Sequence, residues 1–112
     1  MVKLIYCITR KEGLSVEEFQ RYWRETHGPI AARIPGVRRY VQSHVLPELY
    51  AGDPSREGPA YDGAAELWFD DLESMRRAMT SPEVQAAHED ERNFIDHSRV
   101  FAIVTEEKPV VE

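Results

Sequence analysis

Hydrophobic and polar positions change period several times along the 112 residues, and each change marks an element. Val2 to Thr9 is apolar at both alternating sets of positions, with Leu4, Tyr6 and Ile8 on one face and Ile5 and Cys7 on the other. That pattern predicts a strand with two faces to cover. Lys11-Glu12-Gly13 interrupts it. Ser15-Val16-Glu17-Glu18 has the form of a capping box, in which the serine accepts from the third helical N–H and Glu18 reaches back. Val16, Phe19, Trp23, His27 and Ile30 then recur at spacings of three and four. They predict a helix from Val16 to Gly28-Pro29 and a further turn to Arg33. Pro29, which has no N–H, predicts a kink.

Beyond Ile34-Pro35-Gly36, Val37 to Leu46 alternates, with Val37, Val41 and Val45 opposite Tyr40, Gln42 and His44; this is the second predicted strand. Pro47 to Asp62 is too long for an ordinary connection of ~4–6 residues and is expected to be a loop of the lid or binding type. Gly63 to Phe69 is the third strand, with Ala65, Leu67 and Phe69 opposite Ala64, Glu66 and Trp68. Asp70-Asp71 opens a helix carrying Leu72, Met75 and Met79. Ser81-Pro82-Glu83 reads as a fresh N-cap with proline at the first helical position, leading into Val84, Ala87 and His88. Ser98 to Thr105 is the last strand, and residues 106–112 form a polar tail expected to leave the domain.

Strand, helix, strand, loop, strand, helix, strand is the βαββαβ order of the ferredoxin-like split motif. The expectation is one α+β domain over residues 1–112, a four-stranded antiparallel sheet with helices on one face. Two helices can cover only one face of a four-stranded sheet. The other face is also apolar, and a second copy of the same sheet is its simplest cover, so a symmetric homodimer is expected.

Composition narrows the function classes. Hydrophobic residues at 42% and charged residues at 30% suit a globular domain that needs no staple. A net charge of −6 argues against nucleic acid, whose phosphates call for a basic stripe. The lone Cys7 permits no internal disulfide and sits in an apolar run as a small hydrophobe. Neither a secretory leader nor an apolar run of membrane-spanning length is recognisable, so a cytoplasmic protein without a membrane partner is expected. The spacings GxGxxG, HExxH, CxxC and GxSxG are missing, and neither a cofactor nor a metal is expected.

What remains is a set of proton-transfer groups in apolar company. His27 lies on the apolar stripe of the first helix, four residues after Trp23, and imidazole is the side chain most readily tuned across neutral pH. The alternative is a core histidine bonded to a carbonyl or closing the helix end. Tyr40, Gln42 and His44 put three polar tips on one strand face, which suggests a wet cleft or else solvent, and Tyr6 can meet them from the first strand. Glu66, between Ala64 and Trp68, is either a buried carboxylate suited to acid–base work or a partner of Arg38 or Arg39. His88 and His97 lie among acids and read as surface residues.

The run from Glu18 to Pro29, Glu-Phe-Gln-Arg-Tyr-Trp-Arg-Glu-Thr-His-Gly-Pro, resembles the helix signature of the EthD family. Ile34-Pro35-Gly36 with Tyr40, Tyr61-Asp62-Gly63 with Glu66 to Phe69, and Val104 to Glu107 extend the likeness in order over nearly the whole chain. The resemblance implies a dimeric α/β barrel. That superfamily includes cofactor-free isomerases, polyketide cyclases, quinone-forming monooxygenases and haem-degrading enzymes. Methylmuconolactone isomerase-type members are similar in having a histidine where His27 stands and a tyrosine where Tyr40 stands. They also draw a histidine from the long loop, and Pro47 to Asp62 contains none.

The resulting expectation is a cofactor-independent isomerase, cyclase or dehydratase acting on a small hydrophobic aromatic, lactone or polyketide-like molecule. His27, Tyr40 and His44 are its candidate catalytic residues, and Tyr6, Trp23, Glu66 and Trp68 its candidate substrate contacts. The alternatives are a non-catalytic dimeric binding or accessory protein and a cofactor-free or haem-using monooxygenase.

Overall fold

The computed structural model describes residues 1–50 and 58–111. Strands β1 (Val2–Ile8), β2 (Arg39–His44), β3 (Gly63–Phe69) and β4 (Phe101–Thr105) pair antiparallel in the order β2-β3-β1-β4. Helices α1 (Val16–Tyr22), α2 (Gly28–Ala31), α3 (Leu72–Met79) and α4 (Pro82–Asp90) pack on one face of this sheet. This is the expected ferredoxin-like arrangement.

Register decides which side chains meet. Tyr6 pairs with Ala65 and Ala102, while Tyr40 pairs with Leu67, Gln42 with Ala65 and His44 with Gly63. Directly paired residues point to the same side of a sheet. Tyr6, Tyr40, Gln42 and His44 therefore share the helix-covered face. Ile5, Cys7, Val41, Glu66, Trp68, Phe101 and Ile103 share the other.

The helix ends follow their local chemistry. Ser15 Oγ accepts from Glu18 N–H and Glu18 Oε1 accepts from Ser15 N–H, both at 3.0 Å, completing the capping box. Asp71 and Ser81 cap α3 and α4, with Pro82 opening the latter. Between α1 and α2 the chain makes a π-helical turn, Trp23–His27, in which Gly28 N–H donates to the Trp23 carbonyl five residues back. The helical discontinuity thus falls before Pro29, where the ladder widens ahead of a residue that cannot donate.

Three boundaries differ from expectation. β2 stops short of Val37 and Val45. β4 begins at Phe101 because the Asp96 side chain holds His97–Arg99 in a 3₁₀ turn, accepting from Ser98 N–H at 3.0 Å. Glu107, placed in the tail, accepts from Trp68 Nε1 at 2.6 Å and so lies back on the sheet. Of the long loop, Pro47–Tyr50 forms a 3₁₀ turn, and Tyr50 Oη donates to Asp62 Oδ1 at 2.6 Å. Loop residues 51–57 lie outside the described residues, and with them the expectation of a lid.

The core is aromatic where α1 meets the sheet. Phe19, Trp23, Phe69 and Phe94 are buried, with Phe19 touching both Trp23 and Phe94. Gly63 lets Trp23 lie flat on the strand: a Cβ there would stand 2.6 Å from the indole and 2.8 Å from the Ser43 carbonyl. On the opposite face Phe101 and Ile103 remain 58% and 45% exposed, so the sheet keeps an apolar surface that the helices do not cover.

Candidate active site

A cavity of about 310 Å³ lies between the helices and the sheet. Leu4, Ala31, Ile34, Ala65 and Leu67 supply apolar wall, and Tyr6, His27, Tyr40, His88 and Glu91 supply the polar groups. That composition, apolar walls with a few convergent polar tips, is typical of a small-molecule site. Wider hollows lie on the surface, one bordered by Arg10, Lys11, Asp62 and Asp96 and another by Val16, Gln20, Arg21 and Pro47.

His27 is 5% exposed and sits at the end of the π-helical turn, its ring against Phe94 at 4.7 Å. Its Nδ1 lies 2.8 Å from Asp90 Oδ2. Asp90 Oδ1 accepts from Tyr22 Oη at 2.6 Å and from Asn93 Nδ2 at 3.1 Å. Burial pushes the Asp90 carboxyl up, but the hydrogen bonds from Tyr22, His27 and Asn93 more than reverse this and hold it below its ordinary value. An ionised carboxylate can only accept, so the proton of a neutral His27 belongs on Nδ1. Nε2 then carries the lone pair and makes no hydrogen bond among the described residues.

Tyr40 is prepared in a complementary way. Gln42 Nε2 donates to the Trp23 carbonyl and to Tyr40 Oη, both at 2.8 Å, and Gln42 Oε1 lies 2.8 Å from His44 Nε2. The Trp23 carbonyl only accepts, which fixes the amide nitrogen on its side and makes His44 Nε2 the donor to Oε1. Both amide hydrogens are committed. Tyr40 Oη accepts one of them, leaving its own O–H free to donate. Burial raises the Tyr40 phenol pKa against the opposing hydrogen bonds from Gln42 and Trp23, so the phenol is a neutral donor at physiological pH.

The structure brings together Tyr6, His27 and Tyr40 and separates the other candidates from them. Tyr6 Oη donates to Glu91 Oε1 at 3.1 Å, and burial, then the Glu91 charge, raises its phenol pKa. Trp23 is core, 1% exposed, with His44 stacked on it at 4.3 Å. His44 faces an outer hollow that also borders Tyr40. Its imidazole reaches the cavity only through Gln42.

Glu66 and Trp68 lie on the far face of the sheet, which corrects their expected placement beside a ligand held by His27 and Tyr40. The pairing of Tyr40 with Leu67 sets the neighbours of Leu67 on the other side. There Lys3 Nζ bonds Glu66 Oε1 at 3.3 Å, and the Trp68 ring lies under both Lys3 and Arg39.

Sequence reasoning passed over Asp90 and Glu91, which lie within the acidic run His88 to Arg92. Phe94-Ile95, apolar and immediately following, was the available sign that this run turns inward.

The fold and cavity together define a ferredoxin-like protein with a hollow between its helices and its sheet. The EthD domain family model matches residues 11–98, and the chain belongs to the EthD family. It is 28% identical over 113 residues to 4-carboxymethyl-4-methylbutenolide mutase of Pseudomonas reinekei, covering 96% of this chain and 98% of that protein. An EthD family protein of Bacillus halodurans C-125 superposes with a TM-score of 0.75 at 28% identity, covering 96% of this chain and 99% of that one. A dimeric ferredoxin-like protein of unknown function from Bacteroides fragilis gives 0.64 at 19% identity, covering 95% of each chain, a likeness of fold.

Burial, and then the nearby Arg24 charge, depresses the His44 pKa below its ordinary 6.5. The unfolded chain therefore takes up this proton at a higher pH than the folded one. The stabilisation given by the neutral ring is complete above 6.5 and is lost as the pH falls toward the depressed value. Urea unfolding of the natural chain and of His44→Gln at several pH values is expected to show the natural chain losing ground to the variant as the pH falls below 6.5. A constant difference would show that His44 titrates normally in the fold.

Proposed function

We propose that this protein is a cofactor-independent acid–base enzyme that isomerises a small unsaturated lactone or related enol-forming carbonyl compound. The observation that carries this reading is His27, held from behind by Asp90, lining one cavity with a tyrosine whose O–H is free. His27 Nε2 takes a proton from the carbon beside the carbonyl. The C–H electron pair becomes the enolate, whose oxygen accepts the Tyr40 hydrogen bond. Where that enolate is conjugated with the C=C of the unsaturated substrate, the imidazolium returns the proton to the far carbon of the conjugated system and the C=C shifts by one bond. Electrons and atoms balance without an oxidant or reductant.

The division of labour follows from when each group acts. A donor contributes most where charge develops in the transition state, which is the role given to Tyr40. Asp90 holds the His27 ring and favours the imidazolium formed midway, and Gln42, itself set by His44, positions the Tyr40 oxygen. Tyr6 packs against the ligand. The likeness to a butenolide mutase supports the lactone class.

The test is the rate of C=C migration in a panel of unsaturated lactones that carry a hydrogen on the saturated carbon beside the carbonyl, followed by ultraviolet absorbance. His27→Gln is expected to lower kcat/KM by about 10²–10⁴, and Tyr40→Phe by about 10²–10³. Turnover that survives both substitutions contradicts the assignment. Tight ligand binding by the natural chain with no turnover across the panel favours a binding protein.

The reading also includes one domain over residues 1–112 working as a homodimer through the uncovered sheet face. The exposed Phe101 and Ile103 support that interface, as does the dimeric description of the Bacteroides fragilis neighbour. Sedimentation equilibrium is expected to give twice the chain mass of 12.9 kDa, and Phe101→Asp to shift it toward one chain. A natural chain that sediments as a monomer contradicts this interface.

A further inference from the structure

We propose that His88, Glu91 and His97 form a binding site for a divalent transition-metal ion of the zinc type at one end of the cavity. Glu91 Oε1 stands 2.8 Å from His97 Nε2 and 3.4 Å from His88 Nδ1, and the three donor atoms all lie within 4.8 Å of one another. Tetrahedral zinc with bonds near 2.0–2.1 Å spaces its ligand atoms by about 3.3 Å, between the two separations found here. Two imidazoles and one carboxylate are a donor set that selects such metals over calcium or magnesium.

The surroundings are built as a metal site requires. His88 and Glu91 are three residues apart at the end of α4 and face the same way. His97 sits on the turn pinned by Asp96, whose own N–H donates to the Thr9 carbonyl at 2.9 Å. Glu91 is 8% exposed and accepts from Tyr6 Oη, an outer hydrogen bond of the kind that orients ligating carboxylates. The His88 side chain is 66% exposed, giving an ion a path from solvent, while His88 and Glu91 also line the cavity.

Simple ion pairing accounts for less of this. The His88 and His97 rings lie side by side, centroids 5.1 Å apart. Two imidazolium cations so placed repel each other, whereas a dication between them is held by a lone pair from each. The remaining coordination position would open toward the cavity and suit a carboxylate or carbonyl oxygen. The proton transfer proposed above does not depend on this site.

The experiment is a calorimetric titration of zinc into the full chain after chelator treatment and desalting, without any organic ligand. One zinc ion per chain is expected. His88→Ala and His97→Ala should each weaken binding by about tenfold or more, in view of the 10–100-fold that loss of even an outer partner costs. Glu89→Gln, an exposed neighbouring acid, should leave binding unchanged. His88 is exposed, so its variant is expected to fold, as circular dichroism would check. Absence of stoichiometric binding overturns the proposal, as does binding by the His88→Ala/His97→Ala double variant equal to that of the natural chain. Because the probe is the metal alone, either result leaves the role of His27 to be judged separately.

Discussion

The carboxylate of Asp90 joins α4 to the α1 segment within the one helical layer. It lies at the end of α4 and takes hydrogen bonds from Tyr22 and His27, which flank the α1-to-π transition, and from Asn93 just beyond its own helix. In a partly desolvated place, a carboxylate with so many donors is a strong geometric constraint, since each donor it lost would leave charge unsatisfied. Phe94 completes the joint by packing on Tyr22 and His27 together. The height of the cavity and the direction of the imidazole both depend on this contact.

The sheet side of the site is organised by a different device. Gln42 has two N–H groups and one carbonyl, and the fold engages all three, with Trp23, Tyr40 and His44. One partner, the Trp23 carbonyl, lies at the start of the π-helical turn. The wider turn therefore ties the base-bearing segment to the strand bearing the phenol. Gly63 contributes by leaving room for the Trp23 indole against β3. A change at Gln42, Trp23 or Gly63 would move His27 or Tyr40 without replacing either.

Much of this fold is legible in the sequence because period and capping are local. The capping box at Ser15, the N-caps at Asp71 and Ser81, and the alternation of Tyr40, Gln42 and His44 all lie within a few residues of what they determine. The site is less legible because it depends on register. Alternation sets Glu66 and Trp68 on one side of β3, but only the pairing of Tyr40 with Leu67 tells which side faces the helices. Asp90 and Glu91 were hidden for another reason. Acids at a helix end ordinarily face water, and their partners Tyr22 and Tyr6 are 68 and 85 residues distant in the chain. No local pattern records such a contact.

The central claim is that Asp90 fixes the proton of neutral His27 on Nδ1 and leaves Nε2 bare toward the cavity. Two-bond proton–nitrogen correlation spectra of the ¹⁵N-labelled chain report this directly, because protonated and bare ring nitrogens resonate far apart. The account predicts that neutral His27 is the Nδ1–H tautomer and that this preference weakens in Asp90→Asn. A neutral His27 found as the Nε2–H tautomer would contradict it, since the ring would then present a proton where the mechanism requires a lone pair.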